Sequence, residues 1–326
     1  MSDPRPALVG VVIVNWNGWQ HTIAACRSLD ESLHQDLKII VIDNASSDDS
    51  LSQLRTALPQ VEIIANSANA GFAGGCNIGI RRALDLKCDY IFLLNNDALA
   101  ESQTISRLID ASRSKNDAAL LGSAVIYAAS GAYQFFGSRA GTLVGEPEDF
   151  KFDTDARLLN QEFIETDYIL GAALFLPAGV LNRTGLFDER FFLNYEETDL
   201  CYRARKLGIA SFIVPSSAVR HYGSATVGPY TAPMQTYFLT RNGLLFADKH
   251  ASFKQRLRVY RFRLTILYWD IRKSWEAGSL MSLPTRAMAR GFLDYALRSF
   301  GDCPTAIRRY DAFHRGQPYM PSSRGQ

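Results

Sequence analysis

The stretch Tyr90-Ile91-Phe92-Leu93-Leu94-Asn95-Asn96-Asp97-Ala98 decides the fold class of this chain. Five apolar residues run directly into two amides and a carboxylate. A short continuous apolar run of this kind reads as a strand buried on both faces, the environment of a parallel sheet covered by helices. Ligands of such sheets gather beyond the carboxyl ends of the strands, which is where Asn95 and Asp97 fall. If the chain stays extended, alternation sends residues 95 and 97 to one side and Asn96 to the other. Two oxygen donors with open positions beside them suit a hard cation shared with a phosphate. The plainer alternative is a strand closed by an Asn/Asp turn.

Outward from this point the first 126 residues alternate in a βα rhythm. Strands are expected at residues 9–15, 37–43, 61–65, 90–94 and 118–126, with helices at 19–33, 47–58, 73–86 and 102–114. That alternation specifies an α/β fold with a doubly wound, mostly parallel sheet. Residues 127–166 break the rhythm with Gly, Ala and acidic residues and read as loops with one or two short strands. A buried strand at 168–176, a short helix with Pro177 at its first position, a helix at 195–207 stopped by Gly208, and a strand at 209–214 follow. Beyond about residue 229 the pattern is helical. We therefore expect a catalytic domain over residues 1–240, with a nucleotide-binding half (1–126) and an acceptor half (127–240), and a helical appendage over 241–326.

Composition narrows the class. The 326 residues are 47% hydrophobic and 21% charged, as in an ordinary folded protein. Five cysteines with no paired metal-ligand spacing fit a reducing compartment. The N-terminus lacks a signal-peptide layout, and the longest mostly apolar run, residues 168–181, is too short to span a bilayer. A cytoplasmic location is expected. The net charge of +2 hides an asymmetry: residues 250–326 hold 14 Lys/Arg against 5 Asp/Glu, so the remainder is acidic. Across residues 253–275 the basic positions interleave with aromatic ones, a pattern suited to peripheral contact with the anionic inner face of a membrane. No nucleic-acid module accompanies it, so nucleic acid is not expected as a partner. The glycines at 71, 74, 75 and 79 offer helix-start amides for phosphate or ribose, yet their spacing is not that of a dinucleotide fingerprint, and they follow the third strand.

Four polar groups mark strand ends or helix starts: Asn15-Trp16-Asn17-Gly18, Asp43-Asn44-Ala45-Ser46-Ser47-Asp48, Asn95-Asn96-Asp97, and Tyr195-Glu196-Glu197-Thr198-Asp199-Leu200. In this order and spacing they resemble the inverting family 2 glycosyltransferases, which have the GT-A fold, from about residue 9 to about residue 242. Asn69-Ala70-Gly71-Phe72-Ala73-Gly74-Gly75-Cys76-Asn77 and Arg220-His221-Tyr222-Gly223 add a narrower likeness to bacterial rhamnosyltransferase-like enzymes of surface-polysaccharide assembly.

The resemblance implies a role for each motif. Asp43 accepts the imide N–H of uracil or thymine, which an acceptor-only carboxylate can do and which excludes cytosine. Asn15, Asn77 and Asn96 belong to the donor site, and Arg241 is a charge partner for the diphosphate. Asp97, Asn95 and His221 hold Mg2+ or Mn2+. Asn95 stands where the family often has Asp, so Asp97 carries more of the negative charge. One carboxylate deprotonates the acceptor hydroxyl. Alignment with the family's Glu-Asp pair points to Glu197, Asp199 is the rival because it keeps the aspartate type, and Glu196 is the third candidate. The implied donor is a dTDP- or UDP-sugar, with dTDP-L-rhamnose foremost, and the acceptor a glycan or lipid-linked glycan. The competing readings are a nucleotidyltransferase, which would need a basic glycine-rich loop after the first strand, and a non-catalytic nucleotide-sugar-binding component of an assembly complex.

Overall fold

The computed structural model describes residues 5–140, 150–152, 156–223, 232–278 and 281–308. The elements in chain order are β1 (Val9–Asn15), α1 (Trp19–Asp30), β2 (Leu37–Asp43), α2 (Ser50–Ala57), β3 (Glu62–Ala65), α3 (Gly71–Asp85), β4 (Tyr90–Leu94), β5 (Ala98–Ala100) and α4 (Thr104–Ser114). There follow β6 (Leu120–Tyr127), β7 (Tyr133–Phe135), β8 (Ser138–Ala140), β9 (Phe150–Phe152), β10 (Ile164–Glu165), β11 (Ala173–Pro177) and α5 (Ala178–Thr184). The chain then forms α6 (Glu196–Lys206), β12 (Ser211–His221), α7 (Pro233–His250), α8 (Phe253–Glu276) and α9 (Leu283–Ala296).

The main sheet has the order β10-β12-β6-β11-β4-β1-β2-β3, with β5 added to β12 and β7 to β6. Strands β3, β2, β1 and β4 are mutually parallel, β11 runs against both β4 and β6, and β6 and β12 are parallel. The sheet is thus mixed and mostly parallel, as the buried apolar runs require. From β1 the chain moves outward through β2 and β3, then returns to place β4 on the other side of β1. That reversal is a topological switch point, the position where open α/β sheets bind ligands. Asn15 is in register with Asp43 there, and Asn95 follows β4 directly. Helix α3 lies close on this part of the sheet because Gly75 and Gly79 face Val14 and Val12, where any Cβ would collide with a valine methyl. These two glycines serve helix–strand approach and not phosphate.

Two boundaries differ from expectation for identifiable reasons. The strand expected at 209–214 continues to His221, because a bulge between Val214 and Ala218 absorbs Pro215 and restores pairing with β6. The strand expected from residue 168 begins at Ala173, with Pro177 its last residue instead of the first of a helix.

The C-terminal helices pack unequally. Helix α7 is buried on most sides, whereas α8 buries only Val259 and Arg263 of its 24 residues. Residues 240 and 241, between which the expected division falls, both lie inside α7.

Candidate functional site

A cavity of about 620 Å³ opens at the switch point. One wall is the turn 95–97, another the loop 192–195 with the start of α6, and a third carries Trp16, Asn44, Asn69 and Gly71.

Asn95, Asn96 and Asp97 do not continue the extended strand. The chain turns, with the Ala98 amide donating to the Asn95 carbonyl, and all three residues line the cavity. Asn96 points back over Gly18, its Nδ2 donating to Thr22 Oγ1 at 3.4 Å. The next strand, β5, pairs with the distal part of β12 and sets His221 opposite Ala98. This pairing brings His221 Nε2 to 3.1 Å from Asp97 Oδ1, although the two residues are 124 apart in sequence. Both side chains are buried, and His221 Nδ1 lies 2.8 Å from Gln134 Oε1.

The pair fits a divalent cation. With Nδ1–H donating to Gln134, the Nε2 lone pair faces an acceptor-only carboxylate oxygen. Two cis ligands on an octahedral ion with bonds of about 2.1 Å sit about 3 Å apart, close to the observed separation. Gln134 is the partner that orients the imidazole. Asn95 lines the same cavity, and its side chain bonds to no described residue. Among the described residues there is no cluster of three His, Cys, Asp or Glu side chains that could hold a metal.

Across the cavity, α6 begins with Glu196 and Glu197, both buried and both on the wall. Burial pushes the Glu197 carboxyl up to about 7, against the backbone amides of Glu197 and Gly171 that favour its charged form. Burial, with the Glu197 charge second, pushes Glu196 well above the carboxylate range. Glu196 Oε2 has no hydrogen-bond partner among the described residues. Beneath them burial, then the two glutamates, keeps the Cys76 thiol protonated.

Asp199, two residues on, faces away from the cavity. Its carboxylate is fully buried and bonded to Arg203 (2.8 Å), Lys249 (2.6 Å) and His250 (2.7 Å). Burial raises its pKa, but the His250 hydrogen bond and the Arg203 and Lys249 charges outweigh that and hold it below the ordinary value. A carboxylate so occupied is turned away from the cavity, and Asp199 ties α6 to α7.

Four residues expected in the donor site, Asn77, Arg241, Asn15 and Asp43, do not line this cavity. Asn77 is buried in α3 with its amide donating to the Phe187 carbonyl and to Glu189, and its oxygen accepting from the Phe187 amide; it tethers the 187–189 loop and does not line the cavity. Arg241 is fully buried and donates to the carbonyls of Arg190, Phe191 and Gly301, outside the cavity lining. Asn15 and Asp43 lie behind the wall, with Asn15 Nδ2 donating to Asp43 Oδ1 at 2.8 Å and Ser46 Oγ donating to the same oxygen at 2.6 Å. The neighbour Asn44 takes the wall position, organising the turn before α3 through bonds to Asn66, Asn69, Ala70 and Gly71.

The loop feeding α6 is backbone-strained: Phe192, Asn194 and Tyr195 all have φ between 63° and 76°. Such left-handed residues persist only where surroundings hold them. Asn242 Nδ2 donates to the carbonyls of Phe191, Leu193 and Asn194, and Arg241 adds its bonds to Arg190 and Phe191. Sequence reasoning missed this clamp, and Gln134, Asn44 and Arg308 as well. Arg308 lines the cavity with its guanidinium 4.7 Å from the Trp16 ring centroid. Nothing in local pattern marks these positions.

Residues 10–175, just over half the chain, match the family model described as glycosyl transferase family 2. Over 212 residues the chain is 26% identical to a low-salt glycan biosynthesis hexosyltransferase of Haloferax volcanii, and the match spans 62% of each, under two thirds of that relative's length. It is 22% identical over 311 residues to an N-acetylglucosaminyl-diphospho-decaprenol L-rhamnosyltransferase of Mycobacterium tuberculosis, covering 90% of this chain and 95% of the relative. A dTDP-rhamnosyl transferase of Shigella flexneri is 23% identical over 252 residues, covering 73% and 79%. Among solved structures, the mannosyltransferase from Pyrobaculum calidifontis in complex with GDP-Man and Mn2+ superposes with a TM-score of 0.53 at 15% identity, covering 96% of this chain and 85% of that one. GalNAc-T7 with UDP, GalNAc and Mn2+ gives 0.57 at 17%, covering 81% and 58%. At these identities the structural likeness is one of fold, and that fold is GT-A-like with added C-terminal helices.

Proposed function

The chain belongs to glycosyl transferase family 2, and on that premise we propose that it transfers a sugar, foremost L-rhamnose from dTDP-rhamnose, with inversion to a lipid-linked glycan acceptor. The observation that carries the reading is one cavity holding both a cation-type pair, Asp97 and His221, and a buried carboxylate, Glu197, whose pKa is pushed up to about 7. A base poised near the operating pH is suited to take a proton from a hydroxyl as that hydroxyl attacks. Glu197 removes this proton while the acceptor oxygen bonds to the anomeric carbon from the face opposite the leaving diphosphate. Glu196, whose carboxyl is pushed well above the ordinary carboxylate range by burial and by its neighbour's charge, lines the same wall, where it can bond a substrate oxygen.

Asp97, His221 and Asn95 would hold Mg2+ or Mn2+, which neutralises charge building on the departing diphosphate. Trp16 and Arg308 offer an aromatic face and a cation at the nucleotide end. The choice of rhamnose and of a lipid-linked acceptor is supported by the printed names of the Mycobacterium and Shigella relatives.

Release of nucleoside diphosphate from a panel of dTDP-, UDP- and GDP-sugars, with N-acetylglucosaminyl-diphospho-polyprenol as acceptor, tests the reading. We expect acceptor-dependent release from dTDP-rhamnose. Binding of donors without release from any of them would overturn transferase activity, and release from a different donor would overturn the sugar assignment.

A further inference from the structure

Helix α8 leaves one of its faces without a partner among the described residues. Its 24 residues touch the rest of the protein along a narrow line, with only Val259 and Arg263 buried. At 100° per residue, Phe253, Leu257, Leu264, Tyr268, Ile271 and Trp275 fall within an arc of about 60°, a stripe about 33 Å long. All six are exposed, from 40% for Ile271 to 80% for Trp275. An apolar stripe of this length on an otherwise well-packed protein marks an interaction surface.

The border of the stripe identifies the occupant. Lys254, Arg258, Arg261 and Arg272 occupy the adjoining arc. Arg272 pairs with Glu276 at 2.6 Å, while Lys254, Arg258 and Arg261 form no ion pair with any described residue. Two other basic residues of this helix serve the fold instead: Arg256 pairs with Asp248 at 3.0 Å, and Arg263 is buried. No helix among the described residues is long and apolar enough to cross a membrane. A helix with an aromatic and aliphatic stripe, a cationic border and modest overall hydrophobicity lies in the plane of a membrane interface. Unpaired cations along the stripe select an anionic lipid surface over a second copy of the chain, which would present the same cations.

We propose that α8 docks the protein on an anionic bilayer, with Phe253, Leu257, Leu264, Tyr268, Ile271 and Trp275 entering the interface and Lys254, Arg258 and Arg261 meeting lipid phosphates. The surface is independent of the assigned chemistry. It is tested by binding alone, so its failure and the failure of the transferase reading are separable.

The test is co-sedimentation of the full chain with vesicles of phosphatidylglycerol and phosphatidylcholine in equal parts, against phosphatidylcholine alone. Binding is expected on the mixed vesicles and to weaken as salt rises. Arg258→Gln with Arg261→Gln should lower affinity roughly thirty-fold, from about 1 kcal/mol per cation. Leu264→Ser with Trp275→Ser should lower it at least about tenfold. All four positions are exposed, so circular dichroism and thermal unfolding should be unchanged. Equal binding to neutral and mixed vesicles, or affinity unaltered in both double variants, would overturn the proposal. So would a concentration-dependent dimer that the Leu264→Ser and Trp275→Ser changes dissolve, since the stripe would then serve a second copy.

Discussion

Gly171 and the Glu197 carboxylate occupy adjoining space so closely that a Cβ at position 171 would overlap Glu197 Oε1. The Gly171 amide also favours the charged form of that carboxylate. The absence of a side chain at 171 therefore sets where the proposed base points.

Gly171→Ala should displace the Glu197 carboxylate while leaving the Asp97 side of the cavity intact. A shift of this size costs about a hundredfold in kcat. Nucleotide affinity should be unchanged, and the two changes Gly171→Ala and Glu197→Gln should be strongly non-additive in a double-mutant cycle. Full additivity would show that the glycine acts elsewhere.

The pH profile should report Glu197. Because the base must be deprotonated, kcat should rise with pH through about 7. Glu197→Gln should lower kcat by about 10² to 10⁴ and remove that limb, with Asp199→Asn leaving the profile's shape unaltered. Stability should move the opposite way. A carboxyl whose folded pKa lies above its ordinary 4.5 binds more protons folded than unfolded, so its contribution is present at low pH and is lost as pH rises toward 7. Thermal unfolding of wild type and Glu197→Gln between pH 4.5 and 7.5 checks this: the variant's relative Tm should increase with pH.

Asp97→Ala and His221→Ala should each abolish the enhancement of dTDP affinity by Mn2+, read by titration calorimetry with and without the ion. Gln134→Ala should weaken the metal about 10- to 100-fold through loss of the bond that orients His221. Metal-dependent affinity equal to wild type in Asp97→Ala would refute the cation site.

Asn242→Ala should destabilise the protein by about 1–3 kcal/mol, since three loop carbonyls lose their shared donor at a buried site. The strained residues 192, 194 and 195 should then relax, lowering kcat more than nucleotide affinity. Denaturant unfolding and steady-state kinetics measure both. An unchanged kcat would show that the loop holds its shape without the clamp.

The order and type of the central elements, the strand-end positions of Asn15, Asp43 and Asn95, and the acidic opening of α6 were all legible in the amino-acid sequence. They follow from local periodicity and from the polar residues that interrupt it, and periodicity needs no knowledge of distant neighbours. The same local signals do not show the partners that lie far away in sequence. Asn77 and Arg241 looked like ligand contacts because polar residues near motifs invite that reading; each is consumed by a loop 50 or more residues distant. The strand expected to end at residue 214 is carried on to His221 by pairing with β6 across a bulge.

By itself, then, the sequence determined an α/β sheet with a family 2 glycosyltransferase set of motifs at its strand ends, because buried strands and helix starts are written in neighbouring residues. Tertiary structure decided which carboxylate faces the cavity. Asp199 and Glu197 sit two residues apart on one helix, and about 200° of helical rotation turns one into the cations of α7 and the other into the cavity beside Gly171.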